Sequence, residues 1–247
     1  MKPFLFFALV LAALITQCSA DESSDGLKRI SSNSNESNAW TALKINYDSL
    51  KQANASKKAA WKLELDKTPL NKTDSFFEAK GNQVHMFFVD SVFPCWYGTV
   101  WDFNGYTDKP GEGLIACGYF VSTPLKHMGF NLNRYKVAQQ YSHSIVNTLC
   151  TDIHDIQGYD KVLGHLKKSR NGLYIVGLDN HVGYISVEKG GVFFIHSSYV
   201  EPGCVLRENV ESSAVFQYSR RFVIGNFSGN AAILRKWLKN QAIQIVA

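Results

Sequence analysis

The sequence predicts an α+β protein in which N-terminal helices pack on a C-terminal antiparallel β-sheet. Several segments within residues 39–168 carry apolar side chains at helical spacing, whereas residues 173–197 are rich in β-branched and aromatic residues. Asp179-Asn180 and Lys189-Gly190-Gly191 interrupt the second segment, as the turns of antiparallel hairpins do. Because helices come first and strands follow, the order is that of an α+β fold and not of alternating βα units.

The first helical region begins near Ala39, where Trp40, Leu43 and Tyr47 recur at spacings of three and four residues. A short strand is predicted at residues 84–89 and an ordered loop at 94–113. Further helices are predicted at residues 117–128, 132–149 (with Asn133 as its N-cap), 159–168, 210–216 and 230–239, and strands at 173–178, 182–188, 192–197 and 221–227.

The composition is that of a folded protein with one domain at residues 39–247. The chain has 247 residues, of which 45% are hydrophobic and 19% charged, so it can bury an adequate core. The formal net charge is +5. Lys and Arg are scattered along the chain and form no dense stripe, which argues against a nucleic-acid partner.

The N-terminus indicates export. Lys2 precedes an apolar run at residues 3–16, which is typical of a secretory signal at residues 1–20 and short for a membrane span. Two outcomes are open: cleavage after Ala20, or lipid attachment to Cys18, which would anchor the protein to a membrane. Residues 21–38 hold six Ser, three Asn and four acidic residues and predict a flexible tether or a plain spacer. We expect a periplasmic, envelope or extracellular location.

Cys117 is the candidate nucleophile. It follows Gly111 and Gly113 and opens an apolar helical run, which places its sulfur at a helix N-terminus. Backbone N–H groups and the helix dipole stabilise a thiolate there, and can lower a thiol pKa from about 8.5 to about 3.5–7.5 beside a cation. The same N–H groups can bind the oxyanion of an attacked carbonyl. Pro124 lacks an N–H group and predicts that this helix is short or kinked.

His181 and His196 are the candidate base and its orienting partner. If the loop between their strands holds two or four residues, the residue numbers of directly opposed positions sum to 379 or 381. Because this sum is odd, the side chains of residues 181 and 196 project from the same face of the hairpin. With two residues, His196 lies opposite Gly183 and diagonal to His181, within about 7–8 Å. Gly183 then leaves room for the two rings. A three-residue loop would place them on opposite faces.

These residues resemble a known family. A Cys that opens a helix, then His181-Val182-Gly183 at a strand start, then a polar residue on the next strand is similar to the NlpC/P60 branch of the papain-like fold. That resemblance implies a secreted or lipid-anchored cysteine peptidase or amidase that cleaves peptidoglycan stem peptides. It also implies a catalytic triad of Cys117, His181 and His196 that needs no cofactor.

The resemblance covers roughly residues 93–199 and has departures. The family usually has Asp-Cys-Ser-Gly at the nucleophile, where this chain has Ala116-Cys117-Gly118-Tyr119. An upstream Tyr followed by Trp-Gly-Gly is replaced by residues 94–99, Pro-Cys-Trp-Tyr-Gly-Thr, in which Tyr97 is the candidate for the substrate and oxyanion pocket.

Other interpretations stay open at this point. Taken alone, Cys117 is also compatible with an inert core residue. Together with the two histidines it is compatible with a metal site, although no closely spaced pair of ligands favours a metal. The competing function is a catalytically silent envelope binding module of the same fold. We expect a monomer whose substrate is a peptidoglycan peptide or another amide.

Overall fold

The computed structural model describes residues 34–246, with side chains from Tyr47 onward, and confirms the α+β class. The predicted signal at residues 1–20, including Cys18, and residues 21–33 of the predicted tether lie outside the described residues. Residues 34–38, the end of that tether, belong to the first helix. A compact unit spans Asn38–Ala247.

Eight α-helices are described between residues 34 and 246. None of them is long and apolar enough to cross a membrane. They are α1 (Ser34–Lys67), α2 (Thr73–Phe87), α3 (Cys117–His127), α4 (Arg134–Ala138), α5 (Ser142–Leu149), α6 (Tyr159–Leu166), α7 (Ala214–Tyr218) and α8 (Ala231–Leu238).

Six strands form one antiparallel sheet in the order β3-β8-β4-β5-β6-β7. Two short strands, β1 and β2, pair in parallel beside it. The strands are β1 (Val100–Trp101), β2 (Leu114–Ile115), β3 (Thr151–Gln157), β4 (Gly172–Gly177), β5 (Val182–Glu188), β6 (Gly191–Ser197), β7 (Val205–Asn209) and β8 (Arg221–Asn226).

The central strands of the six-stranded sheet are buried on both faces. Alternate residues of β5 belong to two separate apolar clusters: Val182 and Tyr184 face the cluster formed with α2, α3, α5 and α8, whereas Ile185 and Val187 face the cluster formed with α6 and α7. This alternation follows from the two-residue period of a strand. The central strands therefore read as nearly continuous apolar runs, which is why they were recognisable in the sequence.

The predicted strand at residues 84–89 is wrong. The segment forms the end of α2 and a π-helical turn at Phe88–Val92. Phe77, Gly81, Val84 and Phe88 are all buried at spacings of three and four, so the apolar run is one face of a helix and not a strand.

The predicted helix at residues 132–149 is two helices, α4 and α5. Tyr141 lies between the two helices, where it is exposed and takes a non-helical backbone conformation just before α5. The predicted cap is confirmed, because the Asn133 side chain accepts a hydrogen bond from the N–H of Lys136 at 3.0 Å. The predicted helix at 210–216 begins later, at Ala214.

Strands β3 and β7 were not predicted. They are the two edges of the six-stranded sheet, and their sequences, TDIHDIQ and VLREN, are mainly polar and partly exposed. Polar edge strands resist edge-to-edge pairing with other chains, and they lack the apolar pattern by which strands are recognised.

Helix α3 is fixed to the sheet by buried hydrogen bonds. The Tyr184 hydroxyl on β5 donates to the carbonyl of Val121 in α3 at 2.6 Å, and the Ser197 hydroxyl on β6 donates to the carbonyl of Ile115 just before α3 at 2.7 Å. As Pro124 predicts, the helix is short, with 11 residues. Its N-terminus is therefore held against the adjoining ends of β5 and β6.

Removing the Tyr184 hydroxyl tests this attachment. We expect Tyr184→Phe to lower the free energy of unfolding by about 1 kcal/mol, because one buried hydrogen bond is lost and a carbonyl loses a partner. Urea unfolding measures the change. Tyr218→Phe is the matched control, since Tyr218 is 85% exposed. Equal stabilities of wild type and Tyr184→Phe would show that the bond does not hold α3 in place.

Candidate active site

Cys117 lies at the N-terminus of α3, beside the start of β5. Ala116 takes an extended conformation and ends the approach to the helix. The backbone N–H groups of Val182, Gly118 and Cys117 lie near enough to the Cys117 sulfur to act to lower the pKa of its thiol. Because Val182 directly follows His181 in the chain, this contact brings the sulfur to the strand end that carries the predicted base.

Gly118 sets how closely α3 approaches α4. A Cβ atom at this position would lie 2.4 Å from the carbonyl oxygen of Ala138, which is too close for any side chain. Packing against α4 therefore requires Gly at position 118, directly after the candidate nucleophile, where the NlpC/P60 family usually has Ser.

The two predicted histidines meet. Pairing of Glu188 with Gly191 makes the β5–β6 loop two residues long, which is the alternative that places both side chains on one face. Nε2 of His181 lies 2.8 Å from Nδ1 of His196, and the two rings are nearly perpendicular. Gly183 is needed here, because a Cβ atom on it would lie 2.8 Å from the Cβ of His196.

The inner side of His196 contacts groups that the sequence did not predict. Nε2 of His196 lies 3.0 Å from Oε1 of Glu208 on β7, and the Ser213 hydroxyl also hydrogen-bonds this carboxylate. The ring of Phe194 stacks on His196 with centroids 3.9 Å apart. Phe194 opposes Glu208 in the β6–β7 register, so the parity argument used for the histidines would also have found Glu208 had β7 been recognised.

Tyr199 borders the site on its outer side. Its ring centroid lies 5.3 Å from that of His181 and 6.0 Å from that of Trp101, and it is 48% exposed. Burial raises the pKa of Tyr199, and negative charge on Cys117 raises it further, so its phenol lies within electrostatic reach of the thiol. His181 and His196 are buried, and Cys117 is half-buried. Tyr199 therefore lies between the buried histidines and the solvent.

The buried site favours neutral groups. Burial raises the pKa of the Cys117 thiol, although the three N–H groups at its sulfur oppose this. Burial also places the pKa of His181 well below its usual value, with a further contribution from His196. For His196 burial lowers the pKa, and the Glu208 carboxylate opposes that shift. The prediction that the helix N-terminus lowers the thiol pKa is wrong, because loss of solvation outweighs the N–H contacts.

Tyr97, the candidate for the substrate and oxyanion pocket, is not linked to the candidate site by the contacts of the described residues. Burial raises the pKa of its phenol, which also senses Arg207 and Glu188, and its hydroxyl is buried with no hydrogen-bond partner among the described residues. None of the hydrogen bonds or ring contacts between described residues joins Tyr97 to Cys117 or to either histidine. Its place in the substrate pocket stays a prediction.

The other described cysteines lie in the protein interior. Cys95, Cys150 and Cys204 are buried. In the part of the chain that the structure describes, no group of three or more His, Cys, Asp or Glu side chains is arranged to hold a metal ion.

No protein-family profile, curated protein or solved structure matches this chain. A half-buried sulfur near the backbone of Val182, a buried imidazole on the preceding residue and a second imidazole in contact with the first are candidates for a nucleophile, a base and a base-orienting group.

The pH dependence of thiol alkylation tests the neutral resting state. Because burial raises the thiol pKa, we expect the rate at Cys117 in His181→Gln, which has no imidazole to take the thiol proton, to rise about tenfold per pH unit between about pH 6 and about pH 8. Iodoacetamide with peptide mass spectrometry measures the rate at each cysteine separately. A rate in His181→Gln that is already constant from about pH 6 would contradict the neutral state and indicate a preformed thiolate.

Proposed function

We propose that this chain is an exported cysteine hydrolase of papain-like architecture, similar to NlpC/P60 enzymes, that cleaves amide bonds in peptidoglycan stem peptides. The observation that carries the proposal is the 2.8 Å contact between His181 and His196, at the strand end where the backbone N–H of Val182 acts on the sulfur of Cys117. A core cysteine with only a packing role does not require two buried histidines in contact at the same strand ends.

The reaction begins from the neutral pair. His181 uses Nε2 for His196, so Nδ1 is the nitrogen left to take the thiol proton. The sulfur then attacks the amide carbonyl, and the backbone N–H groups at the start of α3 receive the oxyanion. Protonated His181 gives its proton to the departing amine, the C–N bond breaks and a thioester remains on Cys117.

Water completes the cycle. His181 takes a proton from the water as it attacks the thioester, the C–S bond breaks and the proton returns to the sulfur. The products are a free amine and a free carboxylic acid, and the enzyme is unchanged. Throughout these steps His196 stabilises the positive charge that His181 acquires.

The substrate class and location rest on the sequence. The apolar segment after Lys2 supports export, with release after Ala20 or anchoring through a lipid on Cys18. An exported amidase with this Cys-His-His order resembles enzymes of the cell wall. The half-exposed aromatic ring of Tyr199 beside His181 offers an apolar wall for a peptide substrate.

One observation favours a second function. Because burial raises the pKa of the Cys117 thiol, the site is compatible with a silent envelope binding module that retains the fold and has lost reactivity. The two proposals differ in whether amide bonds are cleaved.

Cys117→Ala is expected to reduce hydrolysis to the uncatalysed background, because the nucleophile is lost. The measurement incubates the purified protein with muropeptides and detects new amine termini by mass spectrometry. Cys95→Ser is the matched control, since a hydroxyl can keep the hydrogen bond that the Cys95 sulfur donates to the Ser91 carbonyl. Residual cleavage by Cys117→Ala would exclude Cys117 as nucleophile, and a wild type without cleavage would favour the binding module.

His181→Gln is expected to lower turnover by about 100-fold or more, because no general base remains beside the sulfur. His196→Gln is expected to lose less, since an amide can still hydrogen-bond His181. Turnover of muropeptides by both variants, with circular dichroism as a check of folding, measures the difference. Equal losses in the two variants would contradict separate roles for the histidines.

A further inference from the structure

Glu208 ends a chain of hydrogen bonds that starts at the proposed base. Nε2 of His181 meets Nδ1 of His196 at 2.8 Å, and Nε2 of His196 meets Oε1 of Glu208 at 3.0 Å. We infer that Glu208 is a positioning residue that fixes the proton positions on both histidines, so that the nitrogen of His181 available to Cys117 carries no proton. This inference rests on the proposed roles of Cys117 and His181.

The hydrogen bond between His196 and Glu208 determines which nitrogen of His196 carries a proton. An ionised carboxylate accepts hydrogen bonds and cannot donate them. Burial acts to raise the pKa of Glu208, but hydrogen bonds from His196 and Ser213 outweigh it and lower that pKa, so the carboxyl group is ionised at neutral pH. Nε2 of His196 must therefore carry the proton in this bond.

The position of the proton on His196 determines the position of the proton on His181. A neutral imidazole has one N–H group, so Nδ1 of His196 is left as an acceptor. Nε2 of His181 must then donate to it, since the two nitrogens are in hydrogen-bond contact. The proton of neutral His181 therefore lies on Nε2, and Nδ1 keeps the lone pair that a general base needs.

Without Glu208 a second arrangement competes. His196 can carry its proton on Nδ1 and donate it to Nε2 of His181, which preserves the contact between the two rings. The proton of His181 then lies on Nδ1, where it blocks transfer from the thiol. Loss of the correct tautomer is a severe defect in a triad that depends on a neutral imidazole base.

The surroundings of Glu208 support a positioning role. The Ser213 hydroxyl holds the carboxylate, and the same oxygen caps α7 by accepting a hydrogen bond from the N–H of Phe216. His196 is fully buried, and the ring of Phe194 stacks on it. Both partners of the bond are therefore held by packing from β6 and α7.

The experiment compares Glu208→Gln and Glu208→Leu with wild type. The Gln side chain keeps an oxygen that can accept from Nε2 of His196, whereas Leu has a similar size and no acceptor. Glu211→Gln is the control, because Glu211 is an exposed residue that pairs with Lys167 at the surface. Alkylation of Cys117 by iodoacetamide at one mildly alkaline pH is the readout, and it needs no knowledge of the substrate.

We expect Glu208→Leu to slow alkylation of Cys117 by at least about tenfold, because His181 then holds a proton on the nitrogen that should accept one. Glu208→Gln should stay within a few-fold of wild type, and Glu211→Gln should equal it. Circular dichroism and thermal unfolding verify that each variant is folded. A folded Glu208→Leu with wild-type reactivity overturns the inference.

A second measurement keeps the inference testable if Glu208→Leu does not fold. Long-range ¹H–¹⁵N spectra of the wild-type histidines show which ring nitrogen is protonated. Protons on Nε2 of both His181 and His196 support the inference, and a proton on Nδ1 of His196 overturns it. Neither readout involves amide cleavage, so a wild type that alkylates as expected but cleaves no muropeptide refutes the hydrolase proposal alone.

Discussion

The contact between Nε2 of His181 and Nδ1 of His196 is the interaction on which the proposed site depends. It joins two buried imidazoles that would each be costly to leave without a partner. It also selects the nitrogen of His181 that remains for Cys117. The rest of the structure positions this contact: the two-residue β5–β6 loop sets the register, and the absence of a side chain at Gly183 allows the rings to approach.

Burial determines how such a site would react. A helix N-terminus and three N–H groups favour a thiolate, but removal of the sulfur from water favours the thiol, and burial is the larger effect here. Buried histidines are neutral for the same reason. The proposed chemistry is therefore general-base catalysis in which the proton moves as the sulfur attacks, and not attack by a stored ion pair.

The predictable parts of the site are the local ones. A two-residue hairpin loop fixes the relation of His181 to His196 from their numbers alone, and the Gly-rich approach marks Cys117 as the start of a helix. Glu208 escaped prediction because it lies on a polar edge strand whose sequence carries no apolar alternation. The raised thiol pKa also escaped, because it depends on packing between α3 and β5, which are distant in sequence.

The helical half also contains a segment whose structure could not be predicted from its local sequence. The run at residues 84–89 has the composition of a strand, but its buried positions continue the helical spacing that begins at Phe77. Only the longer window, which includes Gly81, distinguishes the two structures. The packing of α2 against β4 and α8, and not the local composition, decides which is formed.

Rapid acid quenching during turnover of muropeptides tests most directly whether the histidine pair makes Cys117 a nucleophile. Peptide mass spectrometry of the quenched protein is expected to show the acyl part of the substrate attached to Cys117 in wild type, and no such adduct in His181→Gln. Cleavage of muropeptides by wild type with the acyl group on another residue, or with an equal adduct when His181 is absent, would contradict the account.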